Sequence, residues 1–171
     1  MSVRRYGILL LAVAAERVAE LVVSERNLDW SRARGGREFG AGHYPVMVAL
    51  HSGLLTGALV EVVVLRRRFT RGLGMPRLAA VLAAQVLRWW CITTLGKQWN
   101  TRVVVVPGAQ RVVRGPYRLL PHPNYVAVVT EGAALPLVHG AWMTALVFSL
   151  LNAGLLKVRI NVENAALENL T

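Results

Sequence analysis

Apolar residues fall into five runs along the chain: Tyr6 to Val23, Tyr44 to Leu65, Leu78 to Leu95, Tyr125 to Val138, and a last run from Ala141 to about residue 168. A helix needs about 20 mostly apolar residues to cross the hydrocarbon of a bilayer, and four of the runs approach or exceed that length. The fourth, 125–138, is short for an independent crossing. Pro136, His139 and Gly140 then turn the chain, so the fourth and fifth runs predict a helical hairpin. The pattern reads as one domain over 1–171: an all-α integral membrane protein with about five transmembrane or membrane-embedded helices.

Polar residues inside the runs refine this picture. Glu16, Arg17 and Glu20 interrupt the first run, with Arg17 spaced to pair with Glu20. Arg4 and Arg5 ahead of the run suit a signal segment, but these interrupting charges and the lack of a clean small-residue cleavage site read as a retained helix. An interfacial helix or an interhelical ion pair would accommodate the charges. Gln85 and Arg88 share one face of the third run and are expected to turn inward. Asn152, Arg159 and Glu163 form a single stripe on the fifth, where Arg159 and Glu163 are spaced to pair.

The connections differ in character. Ser24 to Gly42 is polar and reads as a loop, either a lid or a solvated connector. Arg66, Arg67, Arg68, Arg71 and Arg77 make the next one basic. Gly96 to Leu120 contains the β-branched run Val103 to Val106, which predicts a short extended segment at the membrane surface, with Val112 and Val113 available to pair with it as a hairpin.

Composition supports a membrane setting, since 54% of residues are hydrophobic and only 17% charged, more apolar surface than a small soluble core would bury. The net charge of +11 would suit nucleic acid in a soluble protein. Here the arginines lie between apolar runs, as expected beside anionic headgroups, and no nucleic-acid recognition module is present. The excess of Lys and Arg on the first and third connections and the C-terminal end favours a cytoplasmic location for that face, in a bacterial cytoplasmic membrane. The single Cys91 excludes an internal disulfide and reads as a buried thiol. No metal-ligand cluster is expected; His51 and Glu61 read as structural polar contacts.

The stretch from Arg111 to Glu131, RVVRGPYRLLPHPNYVAVVTE, departs from the apolar background. Pro121 and Pro123 bracket His122, and both are incompatible with a regular helix interior, so His122 sits in a rigid corner. Asn124 and Tyr125 open the next helix, whose free N–H groups and dipole favour an anionic group. Arg118, His122, Asn124, Tyr125, Arg159 and Glu163 converge at one face, with Glu131 deeper. A carboxylate for an ammonium and donors for a carboxylate would suit a small zwitterionic cofactor.

GPYRLLPHPNY followed by a hairpin and then KVRINVENAAL resembles the isoprenylcysteine carboxyl methyltransferase family of membrane enzymes, and the whole chain resembles the small bacterial branch found with type III polyketide synthases. The resemblance implies S-adenosylmethionine as cofactor, enclosed by the C-terminal hairpin and the connection 96–124 at the cytosolic face. It further implies that His122, Pro123 and Tyr125 contact the cofactor, with Arg118 and Asn124 beside them. Arg159 and Glu163 would lie near the reacting group, with Glu131 or His122 as proton acceptor if the methyl acceptor is a hydroxyl. The chain has Pro121 where many members carry Arg, has Asn164 after Glu163 where a second Glu is common, and stops at Thr171 without an aromatic tail. The expected acceptor is accordingly a lipophilic small molecule such as an alkylresorcinol or alkylpyrone, ahead of a prenylcysteine carboxylate. Two other functions share parts of the pattern: an NADPH-dependent sterol-type reductase, which carries a similar His-Pro-Asn-Tyr corner, and a non-enzymatic membrane scaffold or transport subunit.

Overall fold

A computed structural model describes residues 1–168. It contains five α-helices, α1 (Val3–Arg32), α2 (Tyr44–Val64), α3 (Arg71–Leu95), α4 (Pro123–Leu137) and α5 (Trp142–Glu168), and two short strands, β1 (Arg37–Phe39) and β2 (Val103–Val105). Three helical stretches, Ala41–Val64, Arg71–Gln98 and Trp142–Ala166, are long and apolar enough to cross a membrane. The charges in α1 and the 15-residue length of α4 keep those two outside this set. The protein is an all-α integral membrane protein, as the apolar pattern predicts.

The helices start and stop where the backbone chemistry requires it. Pro45 and Pro123 occupy first-turn positions of α2 and α4, where a missing N–H costs nothing. Gly96, at φ 55°, ends α3, and Gly140, at φ 80°, makes the turn between α4 and α5; L side chains rarely adopt this conformation. The Arg77 guanidinium donates to the Leu137 carbonyl at 2.9 Å, satisfying a C-terminal acceptor of α4 from outside the helix.

α4 packs chiefly against α3 and α5, and α2 packs on α5. The apolar core gathers Tyr6, Leu10, Val13, Ala58, Val62, Val81, Leu135 and Val138, all toward the end of the bundle where α4 meets α5. There the Tyr6 hydroxyl donates to the Leu135 carbonyl at 3.1 Å. Gly132 of α4 lies against the Phe148 ring of α5, so that a β-carbon at 132 would overlap the ring. We expect Gly132→Ala to destabilise the protein by about 1–3 kcal/mol through overpacking, measured as a lower melting temperature in detergent.

Three features differ from the sequence expectation. First, α1 runs on to Arg32, through residues that read as a polar loop. No glycine or proline breaks it before Gly35, and its polar side chains have partners: Asn27 donates to the Gly96 and Trp99 carbonyls at 3.1 and 2.7 Å. Ser24 also donates to Asn100 Oδ1 at 2.8 Å. Second, α3 begins at Arg71 and contains Pro76; the carbonyl that Pro76 leaves without its helical donor is that of Gly72, which lies in the exposed first turn. Third, the valine strand pairs with β1 and not with Val112 and Val113. The register is antiparallel, Arg37 opposite Val105 and Phe39 opposite Val103. Arg102 fixes the pairing by bonding Glu38 at 3.1 Å and lying 4.3 Å over the Tyr44 ring, and the Glu38 bond, the largest cause, raises its pKa.

Candidate active site

The C-terminal ends of α1, α3 and α5 and the N-terminal ends of α2 and α4 meet at the polar end of the bundle. Because α1 holds residues 96–101 by hydrogen bonds, the chain leaving α3 is fixed across this end and forms a wall, with β2 continuing it. Between that wall and the start of α4 lies a cavity of about 670 Å³, lined among others by Gln98, Asn100, Arg102, His122, Tyr125 and Glu163.

The centre of the site is Tyr125, in the first turn of α4. Its hydroxyl donates to Glu163 Oε2 and accepts from Arg159 Nε at 3.0 Å. Sequence spacing predicts a direct Arg159–Glu163 pair; in the structure the Tyr125 hydroxyl stands between them and joins them. His122 stacks on the Tyr125 ring with centroids 5.2 Å apart and places Nδ1 3.8 Å from Glu163 Oε1. A tyrosine, an arginine, a glutamate and a histidine thus restrain one another at the cavity wall. Asn124 adds an unsatisfied acceptor, since its buried Oδ1 has no hydrogen-bond partner among the described residues, an arrangement that costs free energy unless a ligand donor fills it. Burial pushes the Tyr117 phenol, on another part of the wall, well above its ordinary pKa, and Cys91 beside it adds to the rise; the hydroxyl stays protonated at neutral pH.

A second chamber of about 310 Å³ lies deeper, between α1, α2 and α5, and is more apolar. It shares Trp99, Asn100, Asn124, Tyr125 and Arg159 with the larger cavity. These five side chains form a septum with a space on either side.

The sequence-derived candidates separate into two groups. His122, Asn124, Tyr125, Arg159 and Glu163 come together as described. Pro123 is buried under the corner as the first residue of α4 and lines neither space. Arg118 is exposed on a short 3-10 turn, Gly115–Arg118, and is not part of either wall. Glu131 is also absent from both walls: its carboxylate accepts from Arg17 at 3.1 Å and Arg88 at 2.9 Å. Arg17 extends this network to Glu20 at 2.7 Å and Gln85 at 3.0 Å. Two guanidiniums from α1 and α3 already bond the Glu131 carboxylate, on the side of α4 away from the larger cavity.

Sequence reasoning missed Ser24, Asn27, Trp99, Asn100 and Met47, whose sulfur accepts from Arg159. A signal for part of this set exists. Ser24, Asn27 and Ser31 recur at i, i+3 and i+7, one helical face, and all three are buried.

The chain is similar to YpbQ of Bacillus subtilis (strain 168), described as an uncharacterized protein, with 35% identity over 164 residues that cover 95% of this chain and 96% of YpbQ. No solved structure matches it. The model of the isoprenylcysteine carboxyl methyltransferase family matches residues 77–169, which take in α4, most of α3, the wall segment, and Arg159 and Glu163 of α5. More than half of the sequence is covered, including every residue around Tyr125 except those supplied by α1 and α2, and the chain belongs to this family of membrane methyltransferases.

Proposed function

We propose that the larger cavity binds S-adenosylmethionine and that a methyl group passes across the septum to an oxygen of a lipophilic acceptor in the smaller chamber. The observation that carries this reading is the shared wall: Tyr125, Arg159 and Asn124 face both the larger, more polar cavity and the smaller, more apolar one. The residues present fit the cofactor. Glu163 offers a carboxylate for an ammonium, Arg102 and Gln98 offer donors for a carboxylate, and Asn124 offers an unused acceptor. A volume of about 670 Å³ is ample for a molecule of that size.

The cofactor supplies an electrophilic methyl on a sulfonium. When bound, it would pass that methyl to the acceptor oxygen, the pair of the broken S–CH3 bond staying on sulfur as a neutral thioether. The chain contributes alignment and exclusion of water, and the Tyr125 ring face favours a cationic centre. A carboxylate acceptor carries no proton to remove. A hydroxyl acceptor must also give up a proton; His122, beside Glu163 on the cofactor side of the septum, would take it from across the shared wall. A long-chain phenol, pyrone or acid suits the apolar chamber, and an alkylresorcinol or alkylpyrone belongs to that class. The Lys and Arg excess at the polar end supports an orientation with the larger cavity toward the cytoplasm. The family match favours this reading over a reductase with a similar His-Pro-Asn-Tyr corner.

Purified protein in detergent is expected to bind S-adenosylhomocysteine saturably and NADPH not at all, by equilibrium dialysis, and to transfer labelled methyl into a lipid extract. Binding of NADPH without S-adenosylhomocysteine would establish the reductase. Binding of neither, with no methyl transfer, would favour the scaffold.

A further inference from the structure

The smaller chamber is not uniformly apolar. Asn152 of α5 is 2% exposed, lines the chamber, and its side-chain amide has no hydrogen bond among the described residues. An amide that faces the chamber without a protein partner is left to pair with whatever the chamber holds. Arg17 and Glu20, from the ionic network of α1, line the same chamber. Asn152 lies seven positions before Arg159 on one face of α5, and a rise of 1.5 Å per residue sets it about 10 Å deeper than the septum. Glu131, which Arg17 bonds, lies six positions beyond Tyr125 on α4, about 9 Å deeper by the same measure. Two helices thus locate a second polar station at the same depth.

Resting on the reading of this chamber as the acceptor's, we propose that Asn152, with Arg17 and Glu20 lining the same chamber, binds a hydroxyl group carried by the acceptor about 10 Å from the oxygen that is methylated. An amide and a carboxylate–guanidinium pair offer donors and acceptors together, which matches a hydroxyl, itself both donor and acceptor. A plain hydrocarbon would leave the amide unpaired. Sites built to hydrogen-bond a hydroxyl discriminate strongly against the analogue that lacks it. Asn152 is therefore a specificity residue and takes no part in the transfer itself.

The test uses full-length protein in lipid nanodiscs saturated with S-adenosylhomocysteine, and equilibrium binding of three radiolabelled probes: hexadecanoic acid, 9-hydroxyhexadecanoic acid and 3-hydroxyhexadecanoic acid. The 9-hydroxyl of an extended chain lies at about the required distance from the carboxylate. Wild-type protein is expected to bind the 9-hydroxy acid about tenfold more tightly than the other two. Asn152→Leu is expected to abolish that preference while binding hexadecanoic acid and S-adenosylhomocysteine as wild type does, which shows that the variant is folded. Equal binding of the three acids by wild type, binding of none of them, or a preference that survives in Asn152→Leu overturns the proposal. Loss of S-adenosylhomocysteine binding by wild type is a separate result and overturns the transferase reading instead.

Discussion

Glu131→Ala is expected to destabilise the protein by about 3 kcal/mol, because it takes from the buried Arg88 its nearest carboxylate and from the half-buried Arg17 one of its three. Arg88 is 5% exposed and Glu131 4%, so water cannot replace the lost partner. The cluster holds three carboxylates, Glu16, Glu20 and Glu131, against Arg17 and Arg88, and joins α1, α3 and α4. The loss should appear as a large drop in melting temperature in detergent, while the protein that remains folded retains its methyl transfer. A folded Glu131→Ala protein without transfer would instead restore Glu131 as a proton acceptor in the reaction. The Arg17→Met, Glu131→Ala double variant is expected to cost less than the sum of the two single changes, since the charges left unpaired by one change are removed by the other.

Tyr125→Phe removes one oxygen and keeps the ring. We expect methyl transfer to fall about a hundredfold, the order seen when a single preorganised donor is removed from an active site. Arg159 and Glu163 lose the hydroxyl that joins them, and the septum loses its fixed geometry. Stability should change little, because the ring remains stacked on His122. Affinity for S-adenosylhomocysteine is expected to weaken less than transfer does, so that single-turnover rate and equilibrium binding separate. A Tyr125→Phe protein with wild-type turnover would show that the arrangement of Arg159 and Glu163 does not depend on the hydroxyl.

The apolar runs made the helices legible because four of the five are long and their ends carry glycine or proline. The rigid corner was legible for the same local reason: Pro121 and Pro123 constrain His122 whatever surrounds it. Relations across the fold were not legible. The valine strand finds β1, about sixty-five residues earlier by its register of Val104 opposite Glu38, because the α1 extension brings that partner alongside, whereas Val112 and Val113 are merely near in sequence. The depth and fate of Glu131 depended on Arg17 and Arg88, which lie on other helices. The Arg159–Glu163 spacing was correct for a helix, yet a hydroxyl from α4 intervenes. Polarity also misled at residues 24–32, where it marks a protein-facing helical stripe; the absence of glycine and proline there was the better guide.

The unequal lengths of α1 and α4 have a consequence for where the chemistry takes place. Both start or end near the same extremity of the bundle, since the Tyr6 hydroxyl reaches the Leu135 carbonyl and the Met1 carbonyl lies 3.3 Å from His139. Measured from that extremity, the 30 residues of α1 extend about 45 Å and the 15 of α4 about 22 Å. The hydrocarbon layer is about 30 Å thick. With that extremity set at one edge of the layer, His122 lies about 8 Å and Tyr125 about 11 Å short of the other edge, while α1 rises well above it. The result is a well, walled on the side of α1 by protein and floored within the bilayer. A water-borne molecule can descend to the depth of a lipid's polar head, and the lipid need not be lifted out to meet it.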